Sequence, residues 1–407
     1  MEGQMTERQA SGPLKGMKVI ELAHIMAGPV CGLMLADMGA DVIKVEKPDG
    51  DDSRRFLPPA IEGESAAYMM MNRNKRGLAL NLKDPAAVEA LRRLLAEADV
   101  VIENYRMGTM ERLGLGYETL REINPRLIYC EISGFGRTGP YAQRGGFDLI
   151  AQGMSGLMSI TGEGPGRPPV KPGAPISDIN AGILAAMGVS AAYANMLQTG
   201  RGQKVDTSLF EAAITQTYWQ SAIAFATGEA PGPMGSAHPL NAPYQAFRTR
   251  DGWINVGAAN QRNWLRFLDV IGKPELDADP RFGSNHDRMQ HLPELVSLLE
   301  ETLVTETTDT WLHRMEAAGL PAGPVLDILE MHADPQSRAR EMIVEVEHPR
   351  AGPVQTLGHP VKFSDTPGEV CRAAPLLGQH SREVLAEAGY EEQAIDAMIA
   401  SGAVIAA

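Results

Sequence analysis

The sequence predicts an α/β protein: a large domain built on a mostly parallel sheet, interrupted by a smaller α+β domain. Three observations carry this. MKVIEL (residues 17–22), an apolar stretch over 29–39 and DVIKVE (Asp41–Glu46) read as strand, helix, strand. The same alternation recurs from Asp84 to about residue 132. Near Gly228 the composition turns to that of a linker, and the strand–helix rhythm is replaced by a hairpin and a run of helices.

Each element has a local reason. Pro29 opens the first helix and Gly39 closes it, the usual asymmetry of helix ends. Asp84 is placed to cap a second helix that has Pro85 in its first turn and runs to Ala98. DVVIEN (99–104) and LIYCEI (127–132) follow as strands. Alternation of this kind favours a parallel, Rossmann-like sheet covered on both faces. Gly/Pro-rich loops over 134–146 and 162–174 fall where open α/β sheets hold ligands. A long helix rich in small residues runs from about Ile179 to Leu197, with Gly200 and Gly202 ending it; Ser208 and Glu211 suggest a capping box for the next. EAPGPMGSAHPLNAP (229–243) reads as a linker, and YQAFRTRDGWINVG as a hairpin turning at Asp251-Gly252. Helices around Trp264, over 292–303 and over 311–318 complete a small domain at 229–323. From 324 the chain returns to the large domain through short strands (PVQTL, VKF) and two helices. Residues 1–13 are expected to be a disordered start without a signal-peptide core.

Composition narrows the function. The 407 residues carry a net charge of -14, which argues against nucleic acid as the main partner. The three cysteines, Cys31, Cys130 and Cys371, are scattered; they suggest neither a disulfide framework nor a zinc site, and they fit a reducing cytoplasm. No apolar run reaches the length of a membrane span. Walker, nucleophile-elbow and HExxH motifs are all missing.

What remains is one acid and one basic block. Asp178, in PGAPISDINAG, stands at the start of the long helix, as a cap or as a carboxylate nucleophile lifted to the edge of a cleft. NRNKRGLALNLK carries Arg73, Lys75, Arg76 and Lys83, with Arg54 and Arg55 nearby; it is a solvated charged turn or a phosphate pocket. His24, in ELAHIMAGP, follows the first strand, where it either reaches a ligand or is held by backbone.

These blocks, in order, resemble the class III CoA-transferases, the formyl-CoA transferase and carnitine/bile-acid CoA-transferase type. The resemblance is carried by LKGMKVIELAHIMAGPVCGLMLADMGADVIKVEKP, NRNKRGLALNLK, DVVIENYRMGTMERLGLGYETLREINPRLIY, SGFGRTGP, GAPISDINAG and TGRGQKVDTSLFEAAI. It implies that Asp178 is the nucleophile and passes through anhydride and aspartyl-CoA thioester states, with CoA as co-substrate and no metal or other cofactor. His24, Met26, Ala27, Lys47, Leu80, Lys83, Asn104, Tyr105 and Arg112 match CoA-contacting positions. Arg73, Lys75 and Arg76 would face the nucleotide phosphates, and Ser133, Gly134, Phe135 and Gly136 would approach the CoA tail. Met26 stands where relatives commonly have glutamine. Gly257, Ala258 and Ala259 match a lid loop that is richer in glycine in some members. The resemblance further implies an acyl-CoA donor, a carboxylic acid acceptor and an interlocked, ring-like homodimer. Ionisation of Asp178 is expected to be favoured by helix N–H groups. An α-methylacyl-CoA racemase is the rival reading, disfavoured because Phe147 stands where its catalytic histidine would be; a non-catalytic CoA-binding protein is another.

Overall fold

The computed structural model describes residues 11–407, so most of the expected disordered start lies outside the described residues. They form two units. The larger comprises 11–155, 172–216 and 335–407; the smaller comprises 156–171 and 217–334, wider than the sequence suggests.

The larger unit holds a seven-stranded sheet of β1 (Lys18–Glu21), β2 (Asp41–Glu46), β3 (Lys75–Leu80), β4 (Val100–Glu103), β5 (Ile128–Ser133), β6 (Lys204–Ser208) and β7 (Val404–Ile405). Their order is β7-β3-β2-β1-β4-β5-β6, with all pairs parallel except the β7 edge. The central 3-2-1-4-5-6 order is doubly wound, and it reverses between β1 and β4. Strand alternation fills both faces. Val19, Val42 and Ile102 pack with Leu35, Ala185 and Val189 on one side. Ile20, Ile43 and Val101 pack with Leu91, Leu95 and Leu385 on the other. Asp84 caps Pro85–Glu97 through the Ala86 N–H at 2.8 Å, and Ser208 caps Leu209–Ile214 through the Glu211 N–H at 3.2 Å.

The helix Ile176–Thr199 crosses one face and ends at Gly200. Its length and apolarity would suffice to cross a bilayer, contrary to the sequence expectation, but Ala181, Ala185, Val189 and Met196 are buried in the core. Gly182 permits its closest approach: a Cβ there would sit 2.6 Å from the Ala27 carbonyl oxygen of the helix Ala27–Asp37. β3 is a further departure from expectation. The NRNKRGL block is not a surface turn; its lysine and arginine enter a buried strand. Of the late strands, PVQTL falls in Gly352–Leu357, paired with Ile343–His348, while VKF forms none.

The smaller unit has the expected hairpin, Tyr244–Arg248 with Trp253–Gly257, extended by Ala322–Pro324. Phe247, Ile254, Trp264, Phe267, Leu299 and Trp311 form its core.

Candidate active site

The carboxyl ends of β1, β4 and β5 open onto a cavity of about 510 Å³. Where β1 and β4 part, Asn104 fills the gap. Its Oδ1 accepts from the His24 N–H at 3.0 Å, and its Nδ2 donates to the His24 carbonyl at 2.8 Å. The His24 ring faces Tyr105, with centroids 5.8 Å apart. Burial lowers the His24 pKa against the pull of Asp51, and burial pushes the Tyr105 hydroxyl up to about 12.

The next residue, Ile25, has φ +67°. A β-branched side chain in the left-handed region is strained, at about 1–3 kcal/mol. Its N–H donates to the Asp51 carboxylate, both oxygens at 3.2 Å. Lys44 Nζ holds Asp51 at 2.8 Å, the Ala23 carbonyl at 2.6 Å and Glu21 at 3.1 Å. Glu21 in turn pairs with Lys75 Nζ at 2.8 Å, which also donates to the Pro29 carbonyl and Asn72. Burial works to lower the Lys44 pKa, but Glu21 and Asp51 outweigh it and raise the value. For Lys75 burial wins over Glu21, and the pKa falls to about 8.

Asp178 is the third residue of its helix, and Pro175 takes the N-cap position. Its carboxylate lines the cavity and receives no hydrogen bond from the described residues. Burial first, then the neighbouring Asp148 charge, push its pKa up to about 7. This corrects the expectation of a carboxylate kept ionised by helix amides: no such amide bonds to it among the described residues, and desolvation and a like charge raise its pKa. Asp148 is itself fixed, accepting from the Ser177 N–H at 2.9 Å and from Gln152 Nε2 at 2.7 Å. Gly134 and Gly146 let two cavity loops touch, since a Cβ on Gly134 would lie 2.6 Å from the Gly146 Cα.

Of the residues singled out in the sequence, Asp178, His24, Met26, Ala27 and Asn104 line this cavity. Tyr105, Arg112, Ser133 and Gly134 join them. Phe135 and Gly136 do not. The Phe135 ring packs on Tyr141 and Phe210, and the Gly136 N–H donates to Ser133 Oγ at 2.9 Å. Lys47 borders a smaller adjoining cavity of about 140 Å³ and pairs with Asp52 at 2.7 Å. Leu80 is buried in β3, and Lys83 is exposed beyond it. Arg73, Lys75 and Arg76 must be corrected. All three are buried and neutralised, Arg73 by Asp37 at 2.6 Å, Lys75 by Glu21, and Arg76 by Asp41, Glu383 and Glu387. A phosphate cannot reach them without breaking those pairs. In the smaller unit, the Gly257 N–H donates to the Pro321 carbonyl and the Ala258 N–H to the Pro243 carbonyl; Ala258 is buried, and Ala259 follows just before the helix Gln261–Ile271. The stretch is a tied strand end, not a free loop.

Sequence reasoning missed Arg137, which lines the cavity and pairs with Glu103 at 2.9 Å and Glu131 at 3.4 Å. Burial raises the Glu103 pKa to about 8 against the pull of Arg137, with Glu131 adding to the rise. It also missed Asp51 and Lys44, whose buried positions give no periodic signal. Among the described residues no cluster of His, Cys, Asp and Glu is arranged to hold a metal.

Comparison with known proteins places this geometry in context. The model of CoA-transferase family III matches residues 14–381. A succinyl-CoA:glutarate CoA-transferase of Homo sapiens is 38% identical over 96% of this chain and 90% of its own. A succinate–glutarate CoA-transferase of Agrobacterium fabrum is 42% identical over 92% and 95%. A crystal structure of a CAIB/BAIF family protein from Brucella suis superposes with TM-score 0.83 and 40% identity, over 93% of this chain and all of that one.

Proposed function

The chain belongs to CoA-transferase family III and is a CoA-transferase; from that premise we propose that it moves CoA from a short dicarboxylyl-CoA to a free dicarboxylate, with Asp178 as nucleophile. The observation that carries the assignment of Asp178 is an unpartnered, half-buried carboxylate at the switch-point cavity. Succinyl-CoA and glutarate are the pair we assign, on the strength of the relatives' named substrates.

The steps balance without metal or ATP. An Asp178 oxygen attacks the thioester carbonyl, the C–S bond breaks, and CoA leaves as thiolate from a mixed anhydride. The thiolate attacks the Asp178 carbonyl, the donor departs as carboxylate, and an aspartyl-CoA thioester remains. The acceptor carboxylate attacks that thioester and releases thiolate. The thiolate then takes the acceptor's acyl carbon, and Asp178 is freed. A raised pKa suits the first step, because the carboxylate that does ionise is more basic. Phe147, exposed beside Asp148, offers no proton and favours acyl transfer over racemisation.

A homodimer is part of the same proposal. The long helix exposes Ile183, Met187 and Leu197, and in the smaller unit the helix Tyr218–Thr227 buries no residue while exposing Tyr218, Trp219 and Phe225. Such apolar surface favours a partner. We further assign the chain to the cytoplasm, in keeping with its three cysteines being few and scattered along the chain.

Trapping tests the mechanism. Mixing the protein with succinyl-CoA and hydroxylamine should give a hydroxamate at Asp178 by peptide mass spectrometry; modification of another residue instead would assign the nucleophile elsewhere.

A further inference from the structure

Residues 23–25 are held more tightly than a loop between strand and helix requires. The Ala23 carbonyl is taken by Lys44, both backbone groups of His24 by Asn104, and the Ile25 N–H by Asp51. Lys44 and Asp51 are buried and bound to each other at 2.8 Å. Asp51 is oriented from behind, accepting from the Ser53 N–H and Ser53 Oγ at 2.8 Å each. What this assembly enforces is unusual. Ile25 sits at φ +67°, where isoleucine does not go unaided. Ile25 and Met26 then turn the chain into the helix at Ala27, and both line the cavity with Asp178. An unstrained φ at residue 25 would re-aim everything from His24 to Ala27.

We infer that Asp51, held by Lys44 and Ser53, is a positioning residue for CoA transfer: its carboxylate keeps Ile25 left-handed and so sets part of the lining that the cavity shares with Asp178. It touches no reacting atom. Its contribution passes through one backbone dihedral, so a residue that adopts that dihedral freely should make it dispensable. Glycine is that residue. This distinguishes positioning from mere support, since a glycine elsewhere in the chain cannot repair a lost ion pair.

The inference rests on the transfer reading above, and the experiment separates the two. The parent chain is first shown to form the Asp178 hydroxamate from succinyl-CoA; failure there counts against the transfer reading. CoA affinity, measured by calorimetry on the parent chain, Asp51→Asn, Ile25→Gly and the double variant, then tests the loop independently of any chemistry. Asp51→Asn should weaken CoA binding about tenfold, and where the hydroxamate forms it should slow its formation about thirtyfold. Ile25→Gly should bring no gain in the parent background. In the Asp51→Asn background the same glycine should recover most of both losses, a dependence on background that loss of the ion pair alone does not produce. Should Asp51→Asn fail to fold, Ser53→Ala serves in its place, with a loss of about threefold rescued by the same glycine. A double variant no better than its Asp51→Asn or Ser53→Ala parent overturns the proposal, as does undiminished CoA binding in the single variant.

Discussion

Asp178→Asn should make the protein more stable, and increasingly so as pH rises. The folded pKa of Asp178 is raised from 3.8 to about 7 by burial and by Asp148. The folded chain therefore holds this proton more tightly than the unfolded chain does. The resulting stability is full below the unfolded value and is lost progressively as pH climbs to about 7. Between pH 5 and the folded pKa lie about two units, at ~1.4 kcal/mol each, so the ionisable chain loses ~3 kcal/mol that an asparagine does not. Solvent on the open side of the cavity screens part of this, leaving an expected gain for the variant of about 1–3 kcal/mol between pH 5 and pH 8. All four tryptophans (Trp219, Trp253, Trp264 and Trp311) lie in the smaller unit, so fluorescence would report the wrong one. Scanning calorimetry of the CoA-free protein, with hydrogen exchange read on peptides of the larger unit, follows the relevant transition. A stability difference that stays flat or shrinks from pH 5 to pH 8 would refute the reasoning, and with it the raised pKa.

Asp148→Asn removes the like charge beside Asp178, so the acid limb of hydroxamate formation should move to lower pH by about 0.5–1 unit; a shift to higher pH would contradict that coupling. Gly182→Ala would place a Cβ 2.6 Å from the Ala27 oxygen and 2.7 Å from the Val30 Cβ. It should destabilise the larger unit by about 1–3 kcal/mol in urea titrations followed by circular dichroism, and an unchanged midpoint counts against this packing. Arg137→Met leaves Glu103 and Glu131 facing each other without their shared cation, at a cost of about 3–5 kcal/mol. Because the Glu103 pKa already lies near 8, protonation should relieve the loss at pH 6 relative to pH 8, and a loss independent of pH would show that the pair is not coupled.

The helices and apolar strands were legible because each carries its own signal: Pro29 and Gly39, Asp84 and Pro85, the two-residue alternation of DVIKVE. β3 was not. Lys75 and Arg76 mark it as surface to any reading by polarity, and only Glu21 and Asp41, from strands earlier in the chain, make its burial tolerable. β6 hid for the opposite reason, since KVDTS has exposed and half-buried positions and little apolar content. The location of the site was legible in the loops after strands and in Asp178. Its electrostatics were not, because the pKa of Asp178 depends on Asp148, thirty positions earlier, and on a depth of burial that no local pattern encodes.

Strain at Ile25 and a desolvated Asp178 both oppose folding, and both line the same cavity. Beneath them runs the chain Lys75–Glu21–Lys44–Asp51, two cations and two anions in alternation, all buried. Buried ion pairs of this kind are poor stabilisers, and well-packed apolar side chains of similar volume commonly do as well. Stability therefore does not account for their presence at the point where β1 ends. Geometry does. Apolar side chains could fill the same volume, but they could neither accept the Ile25 N–H nor donate to the Ala23 and Pro29 carbonyls. The network is electrically neutral as a whole, so it can fix the backbone beside Asp178 without drawing that carboxylate toward its ionised form. A net positive charge in the same place would favour the ionised form of Asp178 and leave it a less basic nucleophile.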